Sequence, residues 1–223
     1  MPKNENLQIL VDGDPFAYRA AFSCEDEEAE AAIEKIDELL EAALEAVLCE
    51  VTDDKYQIFL TGKGNFRKNI AVTREYKGNR KQERPVHLGD IRQHLIDNWK
   101  AIVSKDEEAD DLIGIWSNPE SIVISIDKDM LQLPCTHYNP HRRTWQTVEE
   151  FEGLRFFYKQ ILGPKKADKI LADCKTEQDL YQECVRAYGG DEERVIENGK
   201  LLWLRREEEQ IWQPPKFTDS DQD

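Results

Sequence analysis

Six carboxylates are spaced so that they could do chemistry together. Glu108, Asp110 and Asp111 stand in the stretch Glu-Glu-Ala-Asp-Asp-Leu-Ile-Gly, which begins at Glu107. Asp127 and Asp129 follow in Ser-Ile-Val-Ile-Ser-Ile-Asp-Lys-Asp-Met, and Asp12 closes Leu-Gln-Ile-Leu-Val-Asp near the start. Carboxylates brought together repel one another and resist ionising unless a cation is present. An oxygen-only acidic cluster suits Mg²⁺ or Mn²⁺. Two such ions clamp the attacking and leaving oxygens in phosphodiester hydrolysis. A plainer reading also stands on spacing alone. Acidic residues in a first helical turn complement the helix dipole, and Asp12-Gly13 is an ordinary turn signal.

The elements that must position these groups are legible in outline. Ile122 to Ile126 is a short, mostly β-branched run of the buried central-strand type, and Asp127 lies just past it. Leu7 to Val11 reads as a first strand ending at Asp12. In an open α/β sheet, sites are built at the carboxyl ends of the strands. Between these lie a long amphipathic helix from Glu25 to Cys49, a second strand from Tyr56 to Leu60, and a helix from Leu88 to Val103. Thr136–Tyr138 and Thr144–Gln146 read as short edge strands around Asn139-Pro140-His141. Helices follow over Val148–Leu162, from Gly163-Pro164, over Glu177–Tyr188 and from about Asp191. Leu201–Arg205 and Gln210–Trp212 read as a small hairpin or docked tail, and 217–223 as a disordered tail. The fold class is therefore α/β. A mostly parallel sheet with helices on both faces spans 1–147, and a helical region spans 148–216.

Composition bounds the partners. The chain has 223 residues and a formal charge of −16, which excludes a broadly basic nucleic-acid binder. Charge is unevenly placed, however. From Thr61 to Arg84 eight Lys and Arg residues face only two Glu, a local excess of +6. That island includes Arg67, Lys77 and Arg80 and is interleaved with Phe66 and Tyr76, so it can hold phosphates and stack a base, or be an ordinary charged loop. Gly163-Pro164-Lys165-Lys166 opens a helix whose free amides and lysines favour a phosphate, or is a plain capped helix. The five cysteines lack zinc-ligand spacing and read as reduced thiols of a cytosolic protein. No apolar run is long enough to span a bilayer, so no membrane partner is expected, and the chain reads as a monomer.

Six short stretches together resemble one family. They are Val11-Asp12-Gly13-Asp14, Phe66-Arg67, Tyr76-Lys77-Gly78-Asn79-Arg80, Glu108-Ala109-Asp110-Asp111, Ser125-Ile126-Asp127-Lys128-Asp129 and Gly163-Pro164-Lys165-Lys166-Ala167. Their order is that of the 5′-nuclease superfamily: flap endonucleases, the 5′→3′ exonuclease domain of bacterial DNA polymerase I, and phage 5′→3′ exonucleases, which they resemble most. The resemblance implies a PIN-like core that cuts DNA near 5′ ends or flaps with two Mg²⁺ or Mn²⁺ ions. It implies that Asp12, Glu108, Asp110 and Asp111 bind the first ion, and that Asp127 and Asp129 bind or support the second. Tyr76 would stack on the terminal base, with Arg67 also on the DNA. Lys77 and Arg80 would contact the scissile phosphate. Gly163, Lys165 and Lys166 would belong to a helix-three-turn-helix on duplex DNA, with K⁺ as a possible further ion.

Two departures carry expectations of their own. Gly62 stands where many relatives have an aspartate after the second strand. The family's Gly-Asp-x-x-Asp-Asn segment is missing where Gln160-Ile161-Leu162 runs into Gly163. The close match on both sides leads to the expectation that the chain is interrupted between Ile161 and Pro164 by a metal-binding loop. A continuous chain would instead mean a real deletion, favouring a weakened second metal site or a protein that binds DNA without cutting it. A haloacid-dehalogenase-like phosphatase, with Asp12 as nucleophile and Asp14 as acid, is the remaining alternative.

Overall fold

The computed structural model describes residues 9–47, 55–73, 75–77 and 83–216. Arg80, the beginning of the first predicted strand and the tail 217–223 lie outside them. Six strands form one sheet in the order β3-β2-β1-β4-β5-β6. They are β1 (Ile9–Asp12), β2 (Tyr56–Leu60), β3 (Ile102–Val103), β4 (Ile122–Ile124), β5 (Thr136–Asn139) and β6 (Thr144–Thr147). The first five are parallel and β6 is antiparallel to β5. From β1 the chain builds outward to β2 and β3, then returns to lay β4 on the other side of β1. The crevice at such a reversal of strand order is where open α/β sheets place their sites.

Alternation along β1 assigns the two faces. Ile9 and Val11 join Ile58, Leu60 and Ile124 beneath α1 (Gly13–Ser23), α2 (Ala29–Ala46) and α4 (Leu88–Asp97). Leu10 joins Phe59 and Val123 on the other face, beneath α5 (Ala109–Trp116) and the 3₁₀ turn Lys128–Gln132. The short α3 (Arg67–Ile70) lies at the entrance to the basic island.

Sequence reasoning differs from the structure at three places in this core. Asp12-Gly13-Asp14 is no free turn, because β1 passes directly into α1 there. A Cβ at Gly13 would lie 2.7 Å from the Ile58 side chain and 2.9 Å from the Phe59 carbonyl, so the close approach requires glycine. The helix expected to reach Val103 stops at Asp97, and Ile102–Val103 pairs with β2 instead. The turn between them is made by Lys100 at φ 56°. β5 is also not an edge strand, since it lies between β4 and β6.

The remaining helices are α6 (Glu150–Leu162), α7 (Pro164–Ile170), α8 (Glu177–Ala187) and α9 (Glu192–Leu202). They bury a core of their own around Phe157, Tyr158, Leu180, Tyr181, Val195 and Trp212. The described residues after α9 form no hairpin. They dock back on the sheet, where Leu204 packs with Leu10, Phe59 and Val123. The chain is continuous between Ile161 and Pro164: the Gly163 N–H donates to the Gln160 carbonyl at 3.2 Å and α7 starts at the next residue. The expected interruption is not there. Gly163, at φ 78°, is the whole joint between α6 and α7, so a three-turn loop of carbonyls that could line a K⁺ site has no room at that joint. Among the described residues no helix is long and apolar enough to cross a membrane.

Candidate active site

The carboxyl ends of β1 and β4 bring two predicted site segments together. Asp12, the last residue of β1, is 3 % exposed, and its Oδ2 accepts from the Ser125 hydroxyl at 2.7 Å. That hydroxyl also accepts the Asp127 N–H at 2.9 Å, and Asp127 Oδ1 accepts the Asp129 N–H at 2.9 Å. Ser125 therefore splices the end of β1 to the loop after β4. Asp127 caps the 3₁₀ turn and remains exposed, while Asp129 is half-buried beside Gln160 of α6.

Helix α5 brings the third segment. Its start is tied to β2, since the Thr61 hydroxyl accepts the Ala109 N–H at 3.0 Å. Asp110 projects toward Asp12 and Asp127, and each raises the cost of ionising its neighbour. Burial first, then Glu108, Asp127 and Asp111, push the Asp110 carboxyl up to about 7. Burial and then Asp110 push Asp12 well above the usual carboxylate range, against the Ser125 hydrogen bond. Burial and Asp127 raise Asp129. The centre thus concentrates negative charge without enough positive charge to balance it, the condition that a hard divalent cation relieves.

Glu108 and Asp111 have protein partners. Glu108 accepts the Tyr76 hydroxyl at 3.0 Å and forms an ion pair with Lys77. Lys77, at φ 55°, holds a backbone conformation that non-glycine residues adopt at a cost. Its ammonium also lowers the cost of charge on Asp110 and Asp129, so the one described cation of the Tyr76-Lys77 pair faces the carboxylates. Asp111 is fully buried. Its oxygens take two bonds from Arg67, at 2.6 and 2.8 Å, and the N–H groups of Glu108 and Arg205 at 3.1 and 3.3 Å.

Three predicted site residues are engaged by protein partners. Asp111 is fully buried, with both oxygens accepting from protein donors. Arg67 is 2 % exposed, and its guanidinium is spent on Asp111, the Leu201 carbonyl and the Trp203 carbonyl, so it does not face DNA. Phe66 is half-buried and packs against two guanidinium groups, with Arg205 3.7 Å and Arg67 4.6 Å from its ring centroid. Among the described residues no three carboxylates are drawn into a closed ligand set. Each of Asp12, Glu108 and Asp111 accepts from a protein donor.

Several participants were not apparent from sequence. Ser125, Thr61 and Gln160 orient the carboxylates, and Arg205 pairs with Glu107 at 2.9 Å. Arg205 is separated from Glu107 by 98 residues, and no local pattern signals such a pairing. Gly62 explains the missing aspartate: a Cβ there would lie 1.9 Å from the Ser104 carbonyl oxygen, so no side chain fits. Asp14 bonds Arg92 at 2.5 Å and the Thr61 N–H at 2.8 Å. With both oxygens accepting, it is not placed as the proton donor that a phosphatase of the haloacid-dehalogenase type requires. Lys165 and Lys166 are exposed.

Comparison with known proteins places the chain in a family. A family described as "5′-3′ exonuclease, N-terminal resolvase-like domain" matches residues 7–156. The chain is also 26 % identical over 164 residues to a protein named flap endonuclease Xni from Shewanella piezotolerans (strain WP3 / JCM 13877). That alignment covers 59 % of this chain and 64 % of the relative, so the chain spans less than two thirds of the relative's length.

Proposed function

The chain belongs to the 5′-3′ exonuclease N-terminal resolvase-like family, and from that premise we propose that it hydrolyses DNA phosphodiesters near 5′ ends or flaps. The observation that carries this reading is the charge imbalance of the centre. Asp12 and Asp110 are held close at the sheet's carboxyl edge, with their ionisation opposed by burial and by each other. The donor set fits a hard divalent cation, Mg²⁺ or Mn²⁺. Asp12, Glu108 and Asp110 would hold a first ion, and Asp127 and Asp129 a second. Such ions, when bound, stabilise charge on phosphoryl oxygens and ease the ionisation of water.

The chain's own residues supply the rest. Ser125 fixes the carboxylate of Asp12, and Thr61 fixes the first turn of α5. Lys77 stands at the rim with its ammonium on Glu108, where an arriving phosphate offers it an alternative anion. A cation moving onto the scissile phosphate acts where charge develops. Tyr76 presents its ring beside Lys77, 5.2 Å from the ammonium, for the terminal base. Arg80 would join Lys77, and Lys165 and Lys166 would hold duplex backbone as point charges.

One observation favours a second reading. The direct joint at Gly163 leaves no aspartate-bearing loop between α6 and α7, which weakens the second ion's site and leaves room for a structure-specific DNA binder. Incubating a 5′-labelled flap and, separately, p-nitrophenyl phosphate with Mg²⁺ or Mn²⁺ separates the readings. Shortened flap product with no nitrophenol supports the nuclease. Binding without cleavage supports the second reading, and nitrophenol release alone supports a phosphatase.

A further inference from the structure

Resting on that nuclease reading, we propose that Glu197 of α9 is a positioning residue for the reaction, fixing the segment that carries Tyr76 and Lys77. Its Oε1 accepts the N–H groups of both Val72 and Thr73 at 2.7 Å, and its Oε2 accepts the Thr73 hydroxyl. One carboxylate thus holds three donors on two consecutive residues, and hydrogen bonds to an ionised acceptor are the strong ones.

Among the described residues, the Val72 and Thr73 amides make no other hydrogen bond. Val72 is 88 % exposed and Thr73 is also exposed, so apolar burial does not fix them. No helix or strand is formed by the described residues between Ile70 and Leu88. Just beyond Thr73, the Tyr76 hydroxyl and the Lys77 ammonium reach Glu108. Further upstream the chain is tied to the same helix, because Arg67 of α3 bonds the Leu201 and Trp203 carbonyls at the end of α9. The stretch from Arg67 to Thr73 is therefore clamped to α9 at both of its ends, and Glu197 is the clamp nearer the reacting groups. It touches neither the carboxylate cluster nor any position assigned to DNA. Its effect is to hold Lys77 in register with Glu108 and hence with the phosphate.

The test uses the full chain as wild type, Glu197→Ala and Glu197→Gln. In wild type, the Val72 and Thr73 amides exchange slowly with solvent. In Glu197→Ala their exchange accelerates, and single-turnover cleavage of a 5′-flap falls about 10- to 100-fold, the cost of displacing a transition-state contact by about 1 Å. Flap affinity stays within about twofold and the thermal midpoint stays close to wild type, as for an exposed hydrogen bond. Glu197→Gln, which keeps an acceptor oxygen, restores most of the rate. Faster amide exchange with unchanged cleavage overturns the proposal, as does a loss of affinity that matches the loss of rate. A wild-type chain that cuts no flap defeats the nuclease reading instead, and the positioning role falls with it.

Discussion

Arg67 and Asp111 form a buried bidentate ion pair that joins α3 to the start of α5, with bonds of 2.6 and 2.8 Å and exposures of 2 % and 0 %. The remaining donors of Arg67 hold the chain that leaves α9, so three separate parts of the sequence meet at one guanidinium. Removing one partner of such a pair strands the other charge in the interior. Arg67→Ala and Asp111→Ala should each lower the unfolding free energy by about 3–5 kcal/mol, read from urea denaturation. Arg67→Lys should recover little, because an ammonium cannot reproduce the planar fork. A loss under about 1 kcal/mol would show the pair to be peripheral to the fold.

Asp110 works in the opposite sense, since its charge costs the fold stability. Its carboxyl is raised to about 7 in the folded chain, whereas an unfolded aspartate titrates near ~3.9. Between those values the folded state holds the extra proton, so stability falls as pH rises through the window. The cation-free Asp110→Asn chain should therefore melt at a higher temperature than wild type above about pH 7, with the gain shrinking toward pH 4. Added Mn²⁺ should stabilise wild type more than the variant. Equal melting curves for both chains from pH 4 to 8 would refute the charge imbalance.

Lys77 and the pair Lys165 and Lys166 should separate kinetically. Lys77→Ala should slow single-turnover flap cleavage far more than it weakens binding, because its charge acts mainly in the transition state. Changing Lys165 and Lys166 to Ala should weaken duplex binding and flatten its salt dependence by about one to two phosphate contacts. Identical effects of the two changes on affinity would contradict these roles.

Gly62 cannot regain a family aspartate. Its Cβ would sit 1.9 Å from the Ser104 carbonyl, which β3 fixes against β2 through the Ser104 N–H bond to the Leu60 carbonyl at 2.8 Å. Gly62→Ala and Gly62→Asp should each destabilise the chain by about 1–3 kcal/mol or more, from overpacking against backbone. Gly62→Asp should add no cation affinity. A stable Gly62→Asp chain with tighter Mn²⁺ binding would overturn this reading.

The sheet was legible where local chemistry and tertiary context agree. Ile122–Ile126 reads as a buried strand and supplies β4 over Ile122–Ile124, although Ile126 is 47 % exposed, and Asp12 and Asp127 read as lying at or just past strand ends. The strand order that makes those ends neighbours was not read from the sequence, since it depends on pairings between distant segments. What the sequence concealed was long-range. Arg67 looked like one more cation in a basic island, yet its partners lie 44, 134 and 136 residues away. Asp111 looked equivalent to Asp110, but the helical rotation between them turns one toward the cluster and the other into the interior. α1 was hidden because Asp12-Gly13, which reads as a turn, is here the direct passage from β1 into a helix packed closely on β2.

The central claim is a cation-dependent cut in DNA made by the carboxylates at the ends of β1, α5 and β4. Its most direct test is single-turnover cleavage of a 5′-labelled flap with Mg²⁺ or Mn²⁺, using wild type and Asp110→Asn, with flap affinity measured for both. The account expects wild type to cut only when the cation is present. It expects Asp110→Asn to bind the flap within a few-fold of wild type and to leave it intact. Cleavage by Asp110→Asn at the wild-type rate would contradict the account.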